Sequence, residues 1–214
     1  MFREGHRREY PNVKARLRLS RKGPGLPERE SYMDIWMKDT RFRVRDESGR
    51  DLASILADLS ATNGLGSSPH SIEEIMDIWS QSRDEGMLGP TELYGDMATN
   101  EGWVRRGKED AWSISAEDIA PAAEQILVDQ VATHLQPAGE ITCLGRSCNK
   151  YSGFLEGEVQ GTPFKSAVTQ IIFEPYLLSS IVRDSKNADH YYSREIIALE
   201  EGAATDKEVT PSPH

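Results

Sequence analysis

Two stretches near the start of the chain, Val13-Lys-Ala-Arg-Leu-Arg-Leu19 and Tyr32-Met-Asp-Ile-Trp-Met-Lys-Asp-Thr-Arg-Phe-Arg-Val-Arg-Asp46, govern the reading of the fold. In the first, Val13, Ala15, Leu17 and Leu19 alternate with Lys14, Arg16 and Arg18. In the second, Met33, Ile35 and Met37 alternate with Asp34, Trp36 and Lys38, and Phe42 and Val44 alternate with Arg41, Arg43 and Arg45. A period of two places the apolar set on one side of an extended strand and the charges on the other. The breakers of Arg21-Lys-Gly-Pro-Gly-Leu-Pro27, the turn-like Asp39-Thr40 and the closing Glu47-Ser-Gly49 separate the runs. Three successive amphipathic strands in an antiparallel meander are predicted.

Further along, the period changes. Leu52, Ile55, Leu56 and Leu59 recur at i, i+3, i+4 and i+7, the stripe of a helix. After the flexible Thr62–Pro69 stretch, the capping box Ser71-x-x-Glu74 introduces a second helix carrying Ile72, Ile75, Met76 and Trp79. Trp103-Val-Arg105 and Ala111–Ile114 read as a hairpin around Arg106-Gly-Lys108. Ser115-x-x-Asp118 resembles another cap, and Ala122–Leu135 is helical in composition, with Pro121 suited to a first turn. The last third returns to strands over Glu140–Leu144, Tyr151–Val159, Phe164–Phe173, Tyr176–Val182 and Tyr191–Leu199, with Glu174-Pro175 interrupting the apolar run. Residues 202–214, rich in Ala, Thr, Lys, Glu, Pro and Ser, are expected to fray from a single domain spanning 1–201. The order strands, helices, strands predicts an α+β fold, one curved antiparallel sheet with helices gathered on one side.

Composition narrows the function classes. The 214 residues are 37% hydrophobic, and no run approaches the length of apolar sequence that a membrane-crossing helix needs. Aromatic residues spread through periodic segments exclude wholesale disorder. The charge is polarised: residues 1–50 carry 14 Lys/Arg against 8 Asp/Glu, residues 51–214 carry 11 against 27, and the whole chain is −10. The N-terminal Met1-Phe-Arg-Glu-Gly-His-Arg-Arg8 contains no apolar signal core. The surface is expected to touch a membrane peripherally at most.

Catalytic motifs are absent from the sequence: there is no nucleophile elbow, phosphate loop, dinucleotide fingerprint or His-Glu-x-x-His. His6, His70, His134, His190 and His214 stand singly, without metal-ligand spacing, so neither metal nor cofactor is expected. Cys143-Leu-Gly-Arg-Ser-Cys148 admits a local disulfide, an inert reduced pair, or a thiol activated by Arg146. The arginine-rich strand faces, with Lys14, Arg16, Arg18, Arg41, Arg43 and Arg45, admit an anionic-lipid or phosphate surface or a nucleic-acid one, and read first as a solvated outer surface cross-paired with acids. Nucleic acid is disfavoured as a partner, because those faces read as lacking interleaved aromatics and the rest of the chain is acidic. Met33, Ile35, Met37, Phe42 and Val44 form an adaptable apolar face, either core beneath helices or, where the helices cover it loosely, a greasy pocket.

The Tyr32–Asp46 stretch, with its Trp36-Met-Lys-Asp-Thr-Arg-Phe-Arg43, resembles a strand pair of the outer-membrane lipoprotein-sorting proteins, the LolA/LolB-like family. Phe173-Glu-Pro-Tyr-Leu-Leu178 and Tyr192-Ser-Arg-Glu-Ile-Ile-Ala-Leu199 are similar to that family's closing strands. The resemblance implies an unclosed antiparallel β-barrel of about eleven strands. It implies a non-enzymatic carrier of lipoprotein acyl chains or other lipid, acting outside the cytoplasm, in the periplasm or cell envelope, with an envelope protein as a further possible partner. Met33, Ile35, Met37, Phe42 and Val44 then line the cavity, while Leu52, Ile55, Leu56, Leu59, Ile72, Ile75, Met76 and Trp79 belong to its lid. The rival expectations are a protein-interaction module on a solidly packed sheet, and an enzyme using Cys148 or paired carboxylates.

Overall fold

A computed structural model of the chain describes residues 9–23, 28–47, 90–107, 110–128, 134–159 and 162–211. The helices predicted over Leu52–Leu59 and Ile72–Trp79 lie outside these residues. The meander appears as predicted: β1 (Tyr10–Lys22), β2 (Arg29–Asp39) and β3 (Arg41–Asp46). It continues into β4 (Thr91–Asp96), β5 (Glu101–Arg106) and β6 (Trp112–Ser115), followed by one helix, α1 (Ala116–Glu124). The strands predicted in the last third appear as β7 (Leu135–Cys143), β8 (Arg146–Val159), β9 (Thr162–Phe173), β10 (Tyr176–Asp184) and β11 (Tyr191–Glu201), with β7 and β8 beginning at Leu135 and Arg146 rather than at the expected Glu140 and Tyr151.

All eleven strands join one sheet in the order β6-β5-β4-β3-β2-β1-β11-β10-β9-β8-β7. Strands consecutive in sequence are neighbours throughout, except β6 and β7, which are the two unpaired edges. The pairing of β1 with β11 splices the two halves. The architecture is therefore an up-and-down antiparallel barrel left unclosed between β6 and β7, and the connection between those edges runs through α1. The helix packs on β2–β6, defining what is hereafter the inner face. Beyond it Leu127 bridges Tyr176, Val128 N–H donates to Pro175 O and Leu177 N–H to Ile126 O. One short connection thus touches both halves of the sheet, which requires the sheet to curl. Register shifts at Arg16/Leu17 and Leu177/Ser179 accompany the curvature.

Two details of this region differ from the sequence expectation. The helix spans 116–124 with Pro121 inside it, and residues 125–128, expected to be helical, lie beyond its end. Its cap is borrowed: Ser115 makes no side-chain cap bond. Instead Asn100 Oδ1 accepts from Glu117 N–H at 3.1 Å and from the Ser115 hydroxyl at 2.9 Å, and Asn100 O accepts from Ala116 N–H. Glu117 and Asp118 then favour the helix start through its dipole. Strand β4 has only Thr91, Leu93 and Gly95 on its inner face, too little alternation to announce itself. Gly95 and its β5 partner Gly102 make a seat. A Cβ at Gly95 would strike the Phe42 ring, and one at Gly102 would crowd Ile114 O and the Ala116–Ile119 turn of α1.

The chain after Gly202, expected to fray, carries Ala204 and Val209 at 3% and 1% exposure. Asn12 secures it, its backbone O accepting from Gly202 N–H and its Oδ1 from Ala204 N–H. Lys14–Glu208, Lys38–Asp206 and Arg41–Asp206 pairs then bind the segment to the outer face of β1–β3 at 2.7, 3.0 and 2.6 Å. Composition hid this because the polar residues are themselves the docking groups.

Candidate functional site

Met33, Ile35, Met37, Phe42 and Val44 do share one face. Met33 is 8% exposed and the other four 0%. They pack with Tyr10, Val13, Leu17 and Val104 beneath Ile119, Ala120 and Ala123 of α1. The Tyr10 ring stands edge-on to Phe42 at 5.8 Å and donates its hydroxyl to Glu124 Oε1 at 2.8 Å. This half of the inner face is covered by the protein's own helix.

The other half is not built the same way. Continuing the register from the core positions Leu17 and Ile196, one inner row crosses the sheet as Ser31, Leu19, Arg194, Ser180, Gln170 and Tyr151. The next row is Arg29, Arg21, Tyr192, Val182, Val168 and Gly153. Beyond it stand Leu155, opposite Ser166, and Phe164, opposite Gly157. Leu155, Phe164 and Tyr192 remain 40%, 36% and 48% exposed, and α1, the one helix among the described residues, lies on β2–β6. None of these positions is evident from local sequence, because each strand shows only its own alternation and not which neighbour it meets.

The outer face of β1–β5 is a charge ladder. Arg16, Asp34, Arg45, Glu92 and Arg105 oppose one another across five strands with alternating sign. Arg16 bonds Asp34 at 3.1 Å and Glu47 at 2.9 Å, while Arg43 and Arg105 converge on Glu92 at 2.8 and 2.5 Å. Burial alone would raise the Glu92 carboxyl; the hydrogen bonds from Arg105 and Arg43 outweigh it and hold the carboxyl below its ordinary value. The parallel row is Lys14, Trp36, Arg43, Tyr94 and Trp103. The Arg43 guanidinium lies over Trp36 at 4.9 Å and over Tyr94 at 5.1 Å. The expectation that aromatics are missing from the charged face is thus corrected: cross-strand pairing interleaves residues that lie far apart in sequence. The cross-paired reading holds for Arg16, Arg18, Arg41 and Arg43, each of which reaches a carboxylate, while Arg45 stands between Asp34 and Glu92 in the register with its Nε buried and without a hydrogen-bond partner.

Cys143 and Cys148 are free thiols, so the disulfide reading is not the one seen. They flank the Leu144-Gly145 turn of the β7–β8 hairpin, and the register sets Cys143 opposite Arg146 and Cys148 opposite Ile141, a diagonal rather than a facing pair. The Cys148 thiol donates to Arg146 O at 3.5 Å. Burial, then the neighbouring Cys148, pushes the Cys143 thiol up. The Arg146 guanidinium that could have activated a thiol pairs with Glu201 at 2.5 Å and lies over Phe173 at 4.7 Å. Among the described residues, no group of three or more His, Cys, Asp or Glu side chains is placed to hold a metal ion, and no helix is long and apolar enough to cross a membrane.

No family model matches the chain, and no curated protein matches it. Among solved structures it is similar to a LolA superfamily protein from Nitrosomonas europaea, at 10% identity and a TM-score of 0.34, over 95% of this chain and 92% of that one. It is also similar to a DUF1329 family protein from Desulfovibrio piger, at 9% identity and a TM-score of 0.32, over 94% and 90% of the two chains.

Proposed function

We propose that the protein is a non-enzymatic carrier of a hydrophobic ligand, an acyl chain of a lipid or lipoprotein, working in the cell envelope. One observation carries this reading. On an unclosed curved sheet whose single described helix covers β2–β6, the inner face of β8–β11 leaves Leu155, Phe164 and Tyr192 partly open beside Val168 and Val182. An apolar concave surface of this kind gains about 0.8 kcal/mol for each methylene it removes from water, enough for a chain of a dozen carbons without any directional chemistry.

The ligand surface in this reading belongs to the second half of the sheet, whereas Met33, Ile35, Met37, Phe42 and Val44 support α1 from below. The test is fluorescence of the neutral probe N-phenyl-1-naphthylamine, with native mass spectrometry of gently purified protein. Wild type is expected to bind the probe, and L155E and F164E to weaken binding at least fivefold while keeping the wild-type circular dichroism. Absence of probe binding together with a bare mass would sink the proposal. Those results would favour a protein-interaction module, a reading supported by the closely packed β2–β6 half.

A further inference from the structure

Two arginines on the inner face, Arg194 and Arg29, find no counter-ion among the described residues. Arg194 projects from the middle of β11, opposite Leu19 on one side and Ser180 on the other. Arg29 lies on β2, opposite Arg21. Among the described residues neither arginine makes an ion pair, and Arg194 Nε and Arg29 Nη1 are both buried without a hydrogen-bond partner. On the outer face Arg16, Arg18, Arg43 and Arg105 each reach a carboxylate within 3.1 Å, although Arg43 Nε and Arg45 Nε are likewise buried without a hydrogen-bond partner. What sets the inner pair apart is that neither lies opposite an acid in the register, whereas Arg45 stands between Asp34 and Glu92. Burial pulls the Arg194 guanidinium down from its ordinary value with no carboxylate opposing the effect. The described carboxylate on the neighbouring inner row, Asp184, accepts from Lys186 N–H in its own turn. A guanidinium taken partly out of water and left unpaired is costly, and its planar fork suits a carboxylate or a phosphate.

The surroundings supply the rest of a head-group site. Arg194 and Arg29 are two strands and about two residues apart, so their Cα atoms are about 12 Å from one another by sheet geometry. Two long side chains can close on one anion from that spacing. Ser180, Gln170 and Tyr151 extend the Arg194 row with hydroxyl and amide groups. Val182 and Val168 in the adjacent row lead toward Leu155 and Phe164. Polar groups and an unpaired cation at one place, with an apolar track leading away, match an amphiphile with a negatively charged head.

We infer that the ligand is an anionic amphiphile, its carboxylate or phosphate held by Arg194 with Arg29 and its chain laid past Val182 to the exposed Leu155 and Phe164. The inference rests on the carrier reading and adds the chemistry of the head group. The experiment displaces N-phenyl-1-naphthylamine from wild type, R194Q, R194K and R29Q with dodecyl phosphate, dodecanoate, 1-dodecanol and inorganic phosphate. Dodecyl phosphate and dodecanoate are expected to displace the probe at least tenfold more effectively than 1-dodecanol from wild type, and inorganic phosphate not at all. R194Q should lose that preference, and R194K and R29Q should each lose part of it. Affinity for 1-dodecanol should be unchanged in all variants. Since R194Q removes an uncompensated charge, its unliganded midpoint in urea should equal or exceed that of wild type. Should R194Q fail to fold, R194K and R29Q decide by the same preference. Equal displacement by the alcohol and the anions, or a preference indifferent to the substitutions, overturns the inference and leaves the carrier reading standing. Inorganic phosphate competing as well as dodecyl phosphate overturns it in favour of a free-anion site. Failure of the probe and every amphiphile to bind wild type overturns both.

Discussion

Replacing Glu92 with Gln removes the acid at the centre of the outer ladder while keeping its shape. Glu92 has a side chain only 11% exposed, and the Arg43 and Arg105 guanidinium groups that reach it are 21% and 33% exposed. Removing one partner of a fully buried ion pair costs roughly 3–5 kcal/mol, mostly because the other charge is stranded. Partial exposure of both arginines, and the rings flanking Arg43, reduce that figure, so E92Q should cost about 2–3 kcal/mol. For a chain of this size that is a fall in melting temperature of about 4–12 °C. Urea unfolding at pH 7 measures it, and a double-mutant cycle with R105Q isolates the pairwise share. The pH dependence has a fixed sign. Because the folded carboxyl is held below its unfolded value, its contribution is present at neutral pH and is lost as pH falls below the ordinary carboxylate range. Wild type and E92Q should therefore converge toward acid pH. A difference under about 0.5 kcal/mol at pH 7, or one that persists undiminished at pH 3, would refute the claim that this cluster holds β3, β4 and β5 together.

Three further outcomes are expected. Gly95→Ala should destabilise by about 1–3 kcal/mol through overpacking against Phe42, and coupling it with F42L should recover part of the loss; an unchanged midpoint would show the ring free to move aside. Val209→Ala should cost about 1–2 kcal/mol. Beside it the Glu208 carboxyl is held at about 2 by the Lys14 hydrogen bond, with Thr205 contributing; its contribution is lost as pH falls from about 4.5 toward 2, by less than about 1 kcal/mol for so exposed a pair. If removal of 203–214 left stability unaltered at every pH, the docking of that segment would be energetically empty. Finally, unreduced protein denatured under non-reducing conditions should titrate with two free thiols, and in the native state Cys143 should alkylate more slowly than a free cysteine at pH 8, as its raised thiol requires. Detection of none would restore the disulfide.

What the sequence by itself determined is local. Alternation of Val13–Leu19, Met33–Met37 and Phe42–Val44 with charged residues dictates strands with one apolar face, since side chains on extended backbone point alternately to either side. Strands overlapping β5 through β11 were also legible, but the first residues of β7 and β8, 135–139 and 146–150, were not. The family resemblance read from Tyr32–Asp46 implied an unclosed sheet of about eleven strands, as observed. Features made by partners distant in sequence needed the tertiary structure. Ser115 marks the N-cap position as its sequence suggested, but the bond that caps the helix comes from Asn100, sixteen residues before its first turn, which no local pattern discloses. Glu92 is buried only because Arg43 and Arg105 come to it from adjacent strands. Met33 through Val44 could be core or pocket on period alone, and α1 settles on them because Gly102 leaves room for its Ala116–Ile119 turn while Gly95 leaves room for the Phe42 ring beneath it. Arg194 looks in sequence like any other strand arginine. Only the register shows that it shares a face with Leu17 and Ile196 rather than with the acids outside, because strand pairing, not composition, decides which charges find a partner.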